Sequence, residues 1–264
     1  MDVRGRRVLV TGASRGVGAG LAEGLVEAGA DVALVARDSD RLRAAAAATG
    51  GTAYPCDLAD LDSLPDLVER VEADGPVDIL VNNAGVANVG WYVDRTVDEI
   101  DQVVRVNLQA PMHLCRLLIP RMLERDRGHI VTISSMAAVF APPGLATYGA
   151  TKAGVSQFMA GLRADLRDDP IAFTTVHLAA VRTDMDDEAR SYGPLRVLAD
   201  QSPGYEFVTM DKYVTTVVDA IRKERAEVRI PTLMAPLAMA TNLPRKVGRL
   251  MFKRVMAKQA RTDP

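Results

Sequence analysis

The sequence predicts an open, doubly wound α/β domain built on a seven-stranded parallel sheet. Three observations predict it. Seven short apolar runs alternate with segments of helix length between Val8 and Ile230, a spacing that calls for crossover connections and a parallel sheet covered on both faces. A glycine-rich turn joins the first run to the first helical segment. No internal repeat and no linker rich in Gly, Ser or Pro divides the 264 residues, a length that suits one large domain.

The elements follow in order. Val8, Leu9 and Val10 make the first strand, and Leu21, Leu25 and Ala28 mark a helix that Gly29 stops. Residues 31–36 are apolar and β-branched, the second strand, after which Asp38 is placed to cap an alanine-rich helix over 42–48. Residues 52–56 read as a third strand, 61–71 as a helix with apolar residues at i, i+3 and i+7, and 77–81 as a fourth strand. A long helical pattern covers 97–123, with Pro111 and Pro120 inside it as points for a kink or an early end. Strands over 128–134 and 171–178 flank a helix over 146–166, and a helix over 212–225 leads to a last strand at 227–230. One domain therefore spans 1–232 with right-handed crossovers. Residues 183–209 form an insertion within it, and 233–264 form a C-terminal extension.

Composition excludes several classes. Apolar residues at 48% and charged residues at 25% are ordinary for a globular chain, and a net charge of −2 does not suit a polyanion binder. Two cysteines, Cys56 and Cys115, exclude a disulfide framework and a Cys-rich zinc module; both read as buried small hydrophobes in a reducing compartment. The three histidines lack metal-ligand spacing, so no metal is expected. The N-terminal residues run straight into a strand, which reads as no signal peptide, and no stretch of about 18 apolar residues offers a membrane span. The expectation is a cytoplasmic protein.

The turn Thr11-Gly12-Ala13-Ser14-Arg15-Gly16-Val17-Gly18 has the chemistry of a pyrophosphate site. Its glycines permit a tight turn and close backbone approach, and the helix behind it offers unpaired N–H groups with partial positive charge. The end of the second strand indicates which nucleotide. An acid there would hold ribose hydroxyls; here Ala36 is followed by Arg37, and Arg15 lies in the glycine turn. Two guanidinium groups suit a 2′-phosphate, so NADP(H) is expected over NAD(H).

Three further stations close predicted strands or open a helix, at the carboxyl ends where open α/β sheets bind ligands. They are Asn82-Asn83-Ala84-Gly85, Ser134-Ser135 and Tyr148-Gly149-Ala150-Thr151-Lys152. Tyr148 and Lys152, four apart, share a helical face. With Asp57-Leu58, Asn107 in a Val-Asn-Leu run, and Ser135 thirteen residues before Tyr148, the chain closely resembles the short-chain dehydrogenase/reductase family over about residues 5–232.

The resemblance implies a Rossmann-type fold and a carbonyl/alcohol oxidoreductase using NADP(H). It makes Tyr148 the general acid/base, Lys152 the ammonium that lowers the phenol pKa and holds nicotinamide ribose hydroxyls, Ser135 the partner of the substrate oxygen, and Asn107 a link from Lys152 to solvent. It assigns cofactor contacts to Gly12, Ser14, Arg15, Gly16, Val17, Gly18, Arg37, Tyr148 and Lys152. Asp57 would touch the adenine amino group beside Leu58. Asn83, Ala84 and Gly85 would line the adenosine ribose. Thr183 would meet the carboxamide or phosphate, with Val181 near the nicotinamide. It implies a homodimer or homotetramer paired through the helices around 97–123 and 146–166.

One departure stands out: the family's Pro-Gly after the sixth strand is replaced by Leu178-Ala179, which implies altered loop geometry. His177 beside it reads as a packed strand-end residue. Residues 184–209 mix acids with Tyr192, Leu195, Tyr205 and Phe207, as a partly apolar substrate lid would. From Arg245 onward seven cations face the single acid Asp263, so the tail could meet an anionic membrane, the chain's own acidic body or a partner subunit. An apolar lid or membrane tail would favour a lipophilic carbonyl or alcohol. A non-catalytic NADP(H)-binding sensor is the rival reading. Nucleic-acid binding through the tail lacks aromatic interleaving and is not expected.

Overall fold

A computed structural model describes residues 1–230 except Asp38, Ala141 and 197–207; for 188–190 it describes the backbone alone. The extension at 233–264 and much of the expected lid lie outside the described residues.

The strands are β1 (Arg7–Thr11), β2 (Asp31–Ala36), β3 (Thr52–Pro55), β4 (Ile79–Asn82), β5 (Gly128–Ser135), β6 (Ile171–Leu178) and β7 (Glu227–Ile230). The helices are α1 (Gly16–Glu27), α2 (Asp40–Thr49), α3 (Leu64–Ala73), α4 (Val97–Val104), α5 (Ala110–Glu124), α6 (Ala146–Asp165), α7 (Asp184–Ser191) and α8 (Met210–Arg222). The sheet runs β3-β2-β1-β4-β5-β6-β7, parallel throughout. Its order reverses between β1 and β4, which opens a crevice at their carboxyl ends.

The central strands are hydrophobic on both faces because both are covered. Alternate side chains go to opposite cores: Val8 and Val10 pack with Leu21 and Leu25 of α1 and with Tyr213 and Val217 of α8. Leu9, between them, packs with Leu67 of α3, Leu114 and Leu118 of α5 and Met159 of α6. Each such buried aliphatic contributes about 1.5–3 kcal/mol. Helices α1 and α8 approach closely because α1 carries Gly20 and Gly24 on that face. A Cβ at Gly24 would lie 2.1 Å from Val214 Cγ1.

Two details correct the sequence reading. Ser39, not Asp38, is the N-cap of α2: its side chain accepts a bond from the Leu42 amide, because the helix starts at Asp40. The long pattern over 97–123 is broken ahead of both prolines, by a π-helical turn at Arg105–Gln109. Pro111 then falls in the first turn of α5, where a missing N–H is tolerated, and Pro120 sits within α5 without ending it.

Candidate active site

Thr11, at the end of β1, organises the crevice. Its hydroxyl donates to the Val81 carbonyl at 3.2 Å and accepts from the amides of Asn83 and Ala84 at 3.0 and 3.1 Å. The Asn83 carboxamide donates to the Thr11 carbonyl at 2.8 Å. Asn83, expected at the adenosine ribose, thus braces the glycine turn. Gly12 has φ +68° and touches this loop so closely that a Cβ would lie 2.7 Å from Ala84 Cα. A Cβ at Gly18 would lie 2.2 Å from the Gly12 carbonyl oxygen. Beyond the turn, α1 starts with no side-chain cap and no acid in its first turn, leaving its amides and partial positive charge for an anion. Ser14, Arg15, Gly16 and Val17 lie at this helix start. A glycine cradle against an uncapped helix N-terminus fits a dinucleotide pyrophosphate.

Asp57 accepts a bond from the Ala59 amide at 3.0 Å and remains exposed, while Leu58 is buried beside it. Arg37 is exposed just past β2. Arg15 is engaged by Asp184, at the start of α7. Thr183 leans on the glycine turn, since a Cβ at Gly16 would meet its Cγ2 at 3.4 Å.

The reacting residues gather at the carboxyl end of β5 and the start of α6. Ser135 ends β5, its hydroxyl accepting from the Ala137 amide at 3.0 Å. Burial pushes the Tyr148 phenol above its ordinary pKa, and the nearby Ser135 side chain works against that rise. Lys152 is buried, and burial alone brings its ammonium down to about 8. It donates to the Ile133 carbonyl at 2.8 Å and lies over the Tyr148 ring, 5.8 Å from the centroid. Desolvation acts on both groups, and one N–H of the ammonium is engaged by the strand carbonyl.

Asn107 stands in the π-turn, buried, with a two-way bond to Val86: its Oδ1 accepts from the Val86 amide and its Nδ2 donates to the Val86 carbonyl, each at 2.9 Å. Nδ2 also donates to Thr151 Oγ1 at 3.2 Å, tying the turn to α6. Pro111, four residues on, has no N–H to offer the Asn107 carbonyl in helical fashion. Gly85 packs between the two, since a Cβ there would stand 3.5 Å from both Asn107 Oδ1 and Lys152 Nζ. Ser134, noted in the sequence without a role, and Ser156, which the sequence reading missed, donate to the Lys152 carbonyl at 3.1 and 2.7 Å and fix this turn of α6 on β5. Ser156 lies one helical turn after Lys152, the only signal that could have pointed to it.

Where Pro-Gly was absent, β-pairing holds the loop. The Ala179 amide donates to Ile230 at 2.9 Å, the Val208 amide to Ala180 at 3.0 Å, and Val181 bridges Val208. His177 is buried in β6, and burial lowers its pKa. Cys56 and Cys115 are both buried.

A pocket beside the start of α6 is lined by Ala87, Asn88, Gly90, Tyr92, Arg95 and residues 144–147. Over it Tyr192 meets Trp91 edge-to-face at 5.7 Å, and a Cβ at Gly144 would strike the Tyr192 ring at 2.6 Å. The aromatic rim was not foreseen, because Trp91 and Tyr192 lie far apart in the chain. Among the described residues no three His, Cys, Asp or Glu side chains gather around a point where a metal ion could sit, and no helix is long and apolar enough to cross a membrane.

A family profile described as short chain dehydrogenase matches residues 6–192. An uncharacterized oxidoreductase of Mycobacterium tuberculosis is 38% identical over 215 residues, which cover 76% of this chain and 63% of that protein. The chain thus spans less than two thirds of the first curated relatives it matches. Dehydrogenase/reductase SDR family member 7B of Rattus norvegicus is 31% identical over 278 residues, covering 99% of this chain and 83% of that one. A short-chain dehydrogenase from Sphingobium yanoikuyae, solved in complex with NADPH, superposes with a TM-score of 0.77 at 31% identity, covering 90% of this chain and 92% of the other. With this fold, this crevice and these matches, the chain belongs to the short-chain dehydrogenase family.

Proposed function

We propose that the protein is an NADP(H)-dependent oxidoreductase that interconverts a carbonyl and an alcohol. The observation that carries this reading is the meeting of Tyr148, Ser135 and Lys152 at the carboxyl end of β5, beside the glycine cradle. NADP(H), when bound, supplies or takes up the hydride. Tyr148 Oη gives its proton to the carbonyl oxygen in reduction and recovers it in oxidation. Ser135 donates a hydrogen bond to the same oxygen and stabilises its developing charge. Lys152 holds the nicotinamide ribose hydroxyls and returns a proton towards Tyr148, with Asn107 in the π-turn as its link to solvent. Gly12, Ser14, Gly16, Val17 and Gly18 cradle the pyrophosphate. Asp57, Leu58, Asn83, Ala84 and Gly85 flank the adenosine, Val181 and Thr183 face the nicotinamide end, and Arg15 and Arg37 take the 2′-phosphate.

The preference for NADP(H) agrees with the absence of an acid at the end of β2 and with the cofactor named for the Sphingobium enzyme. A lipophilic substrate suits the rim of Trp91, Tyr92 and Tyr192, of which Trp91 and Tyr92 are exposed. Pairing of two copies through α5 and α6 would cover Leu117, Phe158 and Leu162, which are only partly buried in one chain. The test is a panel of short- and long-chain carbonyls and alcohols followed by NADPH absorbance. Turnover of long-chain members supports the reading. NADPH binding without turnover of any member defeats it and leaves a cofactor sensor.

A further inference from the structure

Asp184 Oδ2 accepts bonds from two guanidinium groups that come from separate elements. Arg15 reaches it from the glycine turn, and Arg41, in the first turn of α2, lies 3.4 Å away. Asp184 lies 169 positions from Arg15 and 143 from Arg41, so only the fold brings it to them. They meet where the glycine turn and the α2 start flank the adenosine side of the crevice. The Thr183 contact with Gly16 fixes how the start of α7 crosses this corner.

Resting on the NADP(H) reading, we propose that Arg41 is a further 2′-phosphate-binding residue beside Arg15. Asp184 is then the internal counter-anion whose place that phosphate takes.

Three physical points carry this. One oxygen already sits between both guanidinium groups, so the pair is preorganised for an anionic oxygen. The Arg15 hydrogen bond, with the charges of Arg15 and Arg41, holds the Asp184 carboxyl below its ordinary range, so the counter-anion is present at neutral pH. All three side chains are more than half exposed, and exposed ion pairs are weak enough to exchange. A phosphate dianion offers more charge and more acceptor oxygens to the same two forks. Asp184 thereby sets selectivity: it competes with a 2′-phosphate for the two guanidinium groups, a competition that a cofactor lacking that phosphate does not enter.

The test uses the full chain and isothermal titration with 2′,5′-ADP and with 5′-AMP, which differ by the 2′-phosphate. Wild type should bind 2′,5′-ADP more tightly. Asp184→Asn should tighten 2′,5′-ADP about fivefold and Arg41→Ala should weaken it about fivefold, with 5′-AMP affinity within twofold in both. If wild type discriminates but neither variant moves that discrimination, this assignment is overturned while the NADP(H) reading stands. If both variants change the two ligands equally, the residues act only on loop structure and the assignment is again overturned. If wild type does not discriminate at all, the NADP(H) reading fails, and this inference with it.

Discussion

Lys152 and Ile133 are joined by a 2.8 Å bond from the buried ammonium to the strand carbonyl, which anchors the cation to β5 two residues before Ser135. The lysine is held in place before any ligand arrives. Burial sets its pKa at about 8, so at neutral pH it carries its charge, and that charge is lost as pH rises through about 8. Cofactor affinity should therefore fall above pH 8. Titration of NADPH fluorescence between pH 6.5 and 9.5 checks this. Lys152→Met should bind more weakly at pH 7 and show a flat profile, whereas a wild-type profile flat across pH 8 would contradict the assignment.

Packing of α1 against α8 depends on a missing methyl. Gly24→Ala places a Cβ 2.1 Å from Val214 Cγ1, an overpacking that should cost about 1–3 kcal/mol. Val214→Ala alone should cost a comparable amount by leaving a void. The double variant should recover most of the loss. Denaturant midpoints of the four proteins measure the coupling, and strict additivity would argue against this contact.

His129 predicts the acid limit of stability. Its ring is fully buried, Nε2 paired with Thr174 Oγ1 at 2.8 Å, and burial brings its pKa down to about 4. The unfolded chain, with an ordinary histidine, takes up the proton more readily between pH 6.5 and 4. Stability from this group is therefore complete above pH 6.5 and is lost as pH falls through that window. The loss amounts to about 2 kcal/mol between pH 7 and pH 5. His129→Gln keeps a partner for Thr174 and removes the titration. Its Tm should fall less than wild type between pH 7 and 5, and parallel curves would refute the attribution.

Much of this architecture was legible because parallel strands buried on both faces announce themselves as apolar runs. Residues 31–36, 171–178 and 227–230 have the limits in the structure that the pattern implies. The order of motifs likewise brought Tyr148, Lys152, Ser135 and Asn107 to one end of the sheet. What escaped the sequence depends on distance or desolvation. The π-turn at Asn107 does not disturb an apolar period, so the break was assigned to the prolines after it. The pairing of Arg15 with Asp184 and the contact of Trp91 with Tyr192 join segments that nothing local relates. The sense of the Tyr148 shift depends on burial, which a motif does not encode.

The account rests on Tyr148 as the group that moves the proton. Tyr148→Phe keeps the ring over which Lys152 lies and removes only the hydroxyl. Paired measurements of NADPH dissociation constant and of turnover on the best carbonyl from the panel test this most directly. The dissociation constant should stay within about twofold while turnover falls by at least about 100-fold. A variant that keeps a tenth or more of wild-type turnover would contradict the central assignment.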